Sequence, residues 1–366
     1  MEKYHSSTSL VIYLTISSII LIARNPACLY ATEPDTSFYN LFEQALQKYH
    51  QEDYEGAIQL ALQIRKSYPE EPAGVFALLT TYQTMMRNYR VRYYESQYDS
   101  LLDLVVKLSK KAIKRDKKNG VNYFYLGCAY GSRSIYYARR RQWMKAFRDG
   151  SQVLNNFKKA VSYSPEFYDA YYGLGLYKYW LSAKAKFLLF LPFVKDQRRE
   201  GIEQIKLAAE KGRFLKIDSM YGLVSVYYNE GMYEEALKVN DQLYERYPNN
   251  PSLLYRRGRI LQALGRWQEA MDIFSRLHEI LSHTRLQSIS FMIDCLFQMA
   301  KCHYTLGNYL ETQRLCNLAM ELEKSCDFSK ELDGPIEKYE DIKKQLHELT
   351  KKVKKILVAN ITQHKK

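Results

Sequence analysis

The chain has 366 residues, with 54 Lys and Arg against 40 Asp and Glu, six Cys, nine Pro and 33 Tyr, and a formal net charge of +14. Apolar residues make up 46% and charged residues 26%, which excludes a disordered chain. No run of about eighteen uncharged apolar residues is present to make a membrane span, and the length suits two ordinary domains or one elongated array.

The first predicted element is a leader. Glu2, Lys3 and His5 precede an uncharged run from Leu10 to Ala23, which is followed by Arg24, Pro26, Ala27 and Ala31. As a helix this run spans about 21 Å, short of the roughly 30 Å hydrocarbon core. Residues 1–31 are therefore expected to be a signal peptide, cleaved after Ala31. Two alternatives stay open. Cys28, preceded by Ala27, could be the lipidated first residue of a lipoprotein, although Asn25 stands where such motifs usually carry Leu. The run could also be a buried core helix, against which the polar break from Thr32 to Asp35 argues. Export to the periplasm or cell envelope disfavours nucleic acid as a partner. It favours proteins or peptides, with anionic lipid and envelope glycan as further options.

From residue 38 onward the chain repeats. NEGMYEEALKVNDQL at Asn229 and ALGRWQEAMDIFSRL at Ala263 place Gly231 and Gly265, Tyr233 and Trp267, Ala236 and Ala270, and Leu243 and Leu277 each 34 residues apart, a repeat that fits one helical hairpin. AYYGLG at Ala170, YFYLG at Tyr123, and the pairs Tyr68-Pro69, Ser164-Pro165 and Tyr247-Pro248 fall in the same frame. The sequence resembles the tetratricopeptide repeat family over residues 38 to about 325. The resemblance implies an all-α fold, a right-handed superhelical solenoid of about seven helix hairpins, acting as a scaffold for protein or peptide partners.

In this frame a small first-helix residue falls on Ala45, Leu79, Gly127, Gly175, Val224, Gly258 and Ala300. Its second-helix counterpart falls on Ala57, Val105, Val153, Gly201, Ala236, Ala270 and Thr312. Leu79 and Val224 are too large for close helix approach, so their hairpins are expected to sit further apart. Leu79, Gly127 and Gly175 are spaced by 48 rather than 34. The 14 extra residues amount to about four turns per hairpin, so three consecutive hairpins within 72–215 are expected to carry extended helices. The regular repeats lie in 217–277, and the solenoid as a whole in 32–325.

One position is aromatic in every repeat: Phe42, Phe76, Phe124, Tyr172, Tyr221, Tyr255 and Phe297. The resemblance implies that this position faces a concave groove, forming an aromatic ladder. Tyr125, Tyr179, Trp180 and Tyr228 lie nearby, and Arg256 and Arg259 add positive charge. Such a surface suits an extended peptide; packing of the same rings between hairpins is the alternative.

The extended hairpins concentrate the charge. Arg140, Arg141, Lys145 and Arg148 belong to a run that reads as an anion or membrane contact, or else as solvated helix surface. Between Lys186 and Lys195 lies FLLFLPFV, whose Phe187, Phe190 and Phe193 would form an apolar tip, able either to dip into a membrane interface or to pack on the neighbouring hairpin. After Asp333-Gly334-Pro335, residues 333–366 form a basic final helix. Its stripe Ile342, Leu346, Leu349, Val353 and Ile356 is expected to cap the last hairpin.

Motifs for catalysis, cofactors and metals are missing. There is no Walker loop, no nucleophile elbow and no metal-ligand spacing, and Gly173-Leu174-Gly175 is a packing pair. Cys295 and Cys302 are about 10.5 Å apart along one predicted helix, too far for a disulfide; pairing of Cys316 with Cys295 or Cys326 stays open. The chain is therefore expected to be a non-enzymatic scaffold without cofactor. A peripheral envelope assembly or transport factor and a glycan-binding module of polysaccharide export are the alternatives.

Overall fold

The computed structural model describes residues 36–184 and 195–363. The expected leader, Cys28 and the tip residues Phe187, Phe190 and Phe193 lie outside the described residues. The chain divides into two compact units at residue 40; of the first, residues 36–40 are the opening turn of a helix. The second is built entirely of helices among the described residues, with one isolated bridge between Val91 and Glu331.

Seven antiparallel hairpins follow one another: α1 (Thr36–His50) with α2 (Tyr54–Ser67), α3 (Pro72–Tyr89) with α4 (Glu95–Arg115), α5 (Gly120–Arg139) with α6 (Trp143–Tyr163), and α7 (Asp169–Lys184) with α8 (Arg198–Lys211). Then come α9 (Lys216–Asn229) with α10 (Tyr233–Arg246), α11 (Pro251–Ala263) with α12 (Trp267–His283), α13 (Ile289–Thr305) with α14 (Tyr309–Glu323), and the final helix α15 (Tyr339–Gln363). The second and third hairpins use helices of 18 to 21 residues, against 14 for each helix of the fifth. The inserted length therefore went into helix. In the fourth hairpin part of the extra length falls outside the described residues.

Local chemistry fixes the hairpin ends. Pro72 and Pro251 open their helices, where a missing N–H costs nothing. Asp53, Asn250 and Ser288 cap helix N-termini through their side chains. Gly231, Gly265 and Gly307 turn the chain with φ of 75°, 75° and 81°, a conformation glycine adopts without a Cβ penalty. In the earlier hairpins the left-handed turn residues are Glu52, Arg90 and Arg141, with φ between 55° and 65°.

The small positions work in two ways. A Cβ at Gly175 would lie 2.6 Å from the Gly201 carbonyl, and one at Gly201 would lie 2.6 Å from that of Gly175, so these helix backbones touch. At Gly127 and Gly258 the space is filled by a ring instead, Phe157 and Phe274 of the paired helix. Sequence alone suggested backbone contact at all of these sites; the second helix sometimes supplies an aromatic plug.

The stripe on α15 packs as its spacing predicts. Ile342, Leu346, Leu349 and Val353 are buried against Ile293, Leu296, Phe297, Leu315 and Cys316, closing the core of the last hairpin, and Ile356 is half-buried. Cys128, Cys295, Cys302, Cys316 and Cys326 are all free thiols, so the open pairing of Cys316 with Cys295 or Cys326 is not made.

Candidate functional site

The aromatic ladder assembles largely as packing. Phe42, Phe76, Phe124, Tyr255 and Phe297 are buried. Phe76 meets Phe124 and Tyr125 at 6.0 and 5.0 Å between ring centroids; Phe124 meets Phe167 at 5.2 Å; Tyr255 meets Phe274 and Phe291 at 6.1 and 5.7 Å. Tyr125 and Tyr179 are buried as well, and the Tyr179 hydroxyl donates to Glu230 at 2.9 Å. Arg259 is buried between the Tyr255 hydroxyl at 3.0 Å and Glu337 at 2.6 Å, so its charge is already paired. Trp180, Tyr228, Tyr172, Tyr221 and Arg256 are only half-buried. The rings at the buried positions pack edge to face or tilted against one another, and no continuous open ladder results among the described residues.

A long-range closure adds to this packing. Glu52, in the turn after α1, accepts hydrogen bonds from Tyr54, Tyr89, Asn88 and, 198 residues away, Asn250. Burial nonetheless raises its carboxyl above the ordinary value, so the donors offset desolvation only in part. Arg90, at the end of α3, reaches Asp294 in α13 at 2.7 Å and lies over the rings of Phe291 and Tyr255. Arg92 N donates to the Lys330 carbonyl, Leu332 N donates to that of Arg90, and the Glu331 carboxylate caps α13 through Ser288, Ile289 and Ser290. The second hairpin is thereby tied to the sixth and seventh.

Within this closure sits a polar cluster. Asp218 accepts from the Tyr49 hydroxyl at 2.7 Å and lies 3.3 Å from His50 Nε2. Burial alone would raise Asp218, but His50, Tyr49 and Arg87 together hold it below the usual carboxylate range. The His50 ring is stacked on Tyr221, 6.3 Å between centroids and 6° from parallel. Burial, then the Asp218 charge, pushes the Tyr172 phenol well up, and burial does the same to Tyr221. Sequence reading picked out Tyr172, Tyr221 and Arg256 here but not Arg87, His50 or Asp218, which carry no local motif.

The basic run on the third hairpin is distributed differently. Arg133 is held by Asp149 at 2.6 Å and Asp103 at 2.7 Å, which neutralises it. Arg140, Arg141, Lys145 and Arg148 are exposed. Arg140 has Glu95 and Asp99 only at 3.8 Å, and Lys145 lies over the Tyr137 ring. Alongside them stand three exposed apolar side chains that the charge pattern concealed: Trp143 at 65%, Met144 at 83% and Phe147 at 77% exposure. Trp143 and Phe147 share one face by their spacing of four. Among the described residues no group of three His, Cys, Asp or Glu could hold a metal ion, and no helix is long and apolar enough to cross a membrane.

Residues 227–288, covering the end of α9, all of α10, the whole sixth hairpin and the residues that lead into the seventh, match the tetratricopeptide repeat family model. This stretch carries tetratricopeptide repeat sequence. Among solved structures, the repeat protein is similar to a thermophilic tetratricopeptide repeat protein of Thermus thermophilus, at 19% identity over 62% of this chain and 98% of that one, with a TM-score of 0.39. It is also similar to a tetratricopeptide repeat protein from Parabacteroides merdae at 14% identity, over 86% and 99% of the two chains, with a TM-score of 0.38. The Cut9–Hcn1 hetero-tetramer of the APC/C gives 15% identity over 87% of this chain and 51% of that one, with a TM-score of 0.49. No curated protein matches the sequence. The helical-hairpin architecture of that stretch continues along the described residues.

Proposed function

We propose that this repeat protein is an exported, non-catalytic scaffold that binds an acidic protein segment at the end of its third hairpin. The observation that carries the reading is the cluster of Trp143, Met144 and Phe147, each more than half exposed, among Arg140, Arg141, Lys145 and Arg148. Exposed large apolar groups rimmed by charge are the composition of a contact surface, with Trp and Arg as its usual anchors. A four-cation rim selects an anionic partner and speeds encounter with it. The leader-like run from Leu10 to Ala23 supports export and an envelope location. The aromatic ladder contributes rigidity in this reading, because most of its rings are buried.

The test is crosslinking and mass spectrometry in the native host, comparing the wild type with Trp143→Ser/Phe147→Ser and with Arg141→Glu/Lys145→Glu. A protein crosslinked to residues 140–148 and lost in both variants supports the reading. Crosslinks that persist in both, or that map elsewhere, overturn it. Sedimentation with anionic vesicles that is lost in the same variants would instead make the partner a membrane.

A further inference from the structure

The final helix α15 changes character half-way along. From Tyr339 to Glu348 it mixes Glu340, Asp341 and Glu348 with Lys343 and Lys344, and both Lys343 and His347 reach Glu323 of α14, at 2.7 and 3.1 Å. From Leu349 to Gln363 it carries Lys351, Lys352, Lys354 and Lys355 and no acid. All four lysines are exposed, and none of them forms an ion pair among the described residues.

Capping the last hairpin does not account for this second half. The cap is made by Ile342, Leu346, Leu349 and Val353 on the opposite side of the helix, and a polar outer face needs only the mixed charge that the first half already has. The helix dipole does not account for it either, because that effect fades within the last turn, and the last turn of α15 holds no basic residue. Lys351 precedes Lys354 by three positions and Lys355 by four, and Lys352 precedes Lys355 by three. At these spacings like charges face one another along a helix and weaken it. The surface therefore gathers positive charge against its own repulsion, which suits an anionic partner.

Apolar groups accompany the lysines. Thr350 Oγ1 donates to the Met320 sulfur at 3.6 Å, and with the Glu323 contacts this runs α15 antiparallel to α14, so that residues 357–361 lie beside the start of that helix. Val358, four positions beyond Lys354, is 56% exposed, and Leu310 in the first turn of α14 is 75% exposed.

We propose that the second half of α15, together with Leu310, is a docking surface for an anionic lipid bilayer. The lysines would lie among the headgroups and the apolar side chains at the boundary with the acyl chains. The choice of cation favours lipid over an acidic protein segment. All four are lysine, a point charge on a flexible stem that follows mobile headgroups, whereas recognition of a fixed carboxylate favours the planar fork of arginine. This surface is separate in the chain from Trp143 and Phe147 and does not rest on the reading of the third hairpin.

The test is co-sedimentation of the full chain with vesicles of phosphatidylglycerol mixed into phosphatidylcholine and with phosphatidylcholine alone, beside a titration with soluble polyglutamate. Stronger partitioning onto the anionic vesicles is expected, and added salt should reduce it. Each lysine near such a surface contributes about fivefold, so Lys351→Gln/Lys355→Gln should lower partitioning about 25-fold. The thermal midpoint of that variant should stay at or above wild type, since a like-charge pair is gone. Leu310→Ser should lower partitioning less, and Trp143→Ser/Phe147→Ser should sediment as wild type does. Equal partitioning of wild type and the lysine variant, or equal partitioning onto the two kinds of vesicle, overturns the proposal. So does binding of polyglutamate with no preference for anionic vesicles, which would make the partner an acidic protein.

Discussion

Arg90, held at φ of 55° after the last turn of α3, donates to Asp294 of α13 at 2.7 Å across 204 residues of sequence. Both side chains are almost wholly buried, and the guanidinium lies in the corner formed by the rings of Phe291 at 3.7 Å and Tyr255 at 4.3 Å, which meet at 74°. A non-glycine residue in this backbone conformation is strained by about 1–2 kcal/mol. The conformation persists because it aims the side chain into the seventh hairpin. Asp294→Ala is expected to leave a buried, uncompensated guanidinium and to cost about 3–5 kcal/mol in chemical denaturation. The double variant Arg90→Leu/Asp294→Leu should recover much of that loss, because the unpaired charge is gone. Equal stability of Asp294→Ala and wild type would mean the pair does not hold the closure.

Glu331 joins the same closure from the other side. Its carboxylate accepts from Ser288 Oγ at 2.7 Å, Ile289 N at 3.0 Å and Ser290 N at 2.7 Å, in the position of an added N-cap for α13. Glu331→Ala should cost about 1–2 kcal/mol, the range of a lost cap. Amide hydrogen exchange should quicken at residues 288–291 and at 90–92, which are bridged to this segment, while residues 233–246 should keep their protection. Uniform quickening across the chain would show that the effect is global rather than local.

Glu52 sets a pH dependence whose direction follows from its environment. Burial raises its folded-state value above 4.5, so between the unfolded value and the folded one the native protein binds more protons than the unfolded chain. Stability contributed by this group is therefore largest below the unfolded value and declines as pH rises through that window. Asp218 acts oppositely: its folded value is lowered, and its contribution is lost as pH falls below 3.8 toward that value. Taking the difference in unfolding free energy between wild type and Glu52→Gln removes the Asp218 effect. That difference should shift in favour of Glu52→Gln as pH rises from 4.5 toward neutrality; a flat difference would remove the assignment.

The fold was readable because it is written at short range. The 34-residue spacing of Gly231 and Gly265 reports a turn that needs a positive φ, and the stripe from Ile342 to Val353 reports a helix with one face to bury. The 48-residue spacing likewise announced the long helices of the second and third hairpins. The interior was not readable in the same way. Whether Phe124 or Tyr255 faces a groove or a neighbouring ring depends on how adjacent hairpins pack, and the closure across the chain is no more legible. That closure is set by Glu52 with Asn250 and Arg90 with Asp294, pairs 198 and 204 residues apart with no local pattern to reveal them. Trp143 and Phe147 were hidden for a different reason, since an amphipathic helix normally buries its aromatics, and here the apolar face of the first two turns of α6 stays exposed.

The small positions separate into two costs that a single experiment can rank. At Gly175 an added Cβ would press on backbone, 2.6 Å from the Gly201 carbonyl and 3.0 Å from the Ile205 amide nitrogen, and neither can move without shifting α8. At Gly258 the obstacle is the Phe274 ring at 2.5 Å, a side chain that can rotate or tilt. At Gly265 nothing lies within 4 Å, and the cost is the positive φ alone. Alanine at Gly265 should therefore cost about 1 kcal/mol, and alanine at Gly258 about 1–3 kcal/mol through overpacking. Alanine at Gly175 should cost more than either, and it should lower the denaturant midpoint most of the three. If Gly175→Ala proved milder than Gly265→Ala, the α7 and α8 backbones would have to be further apart than described, and the fourth hairpin would pack like its neighbours through side chains.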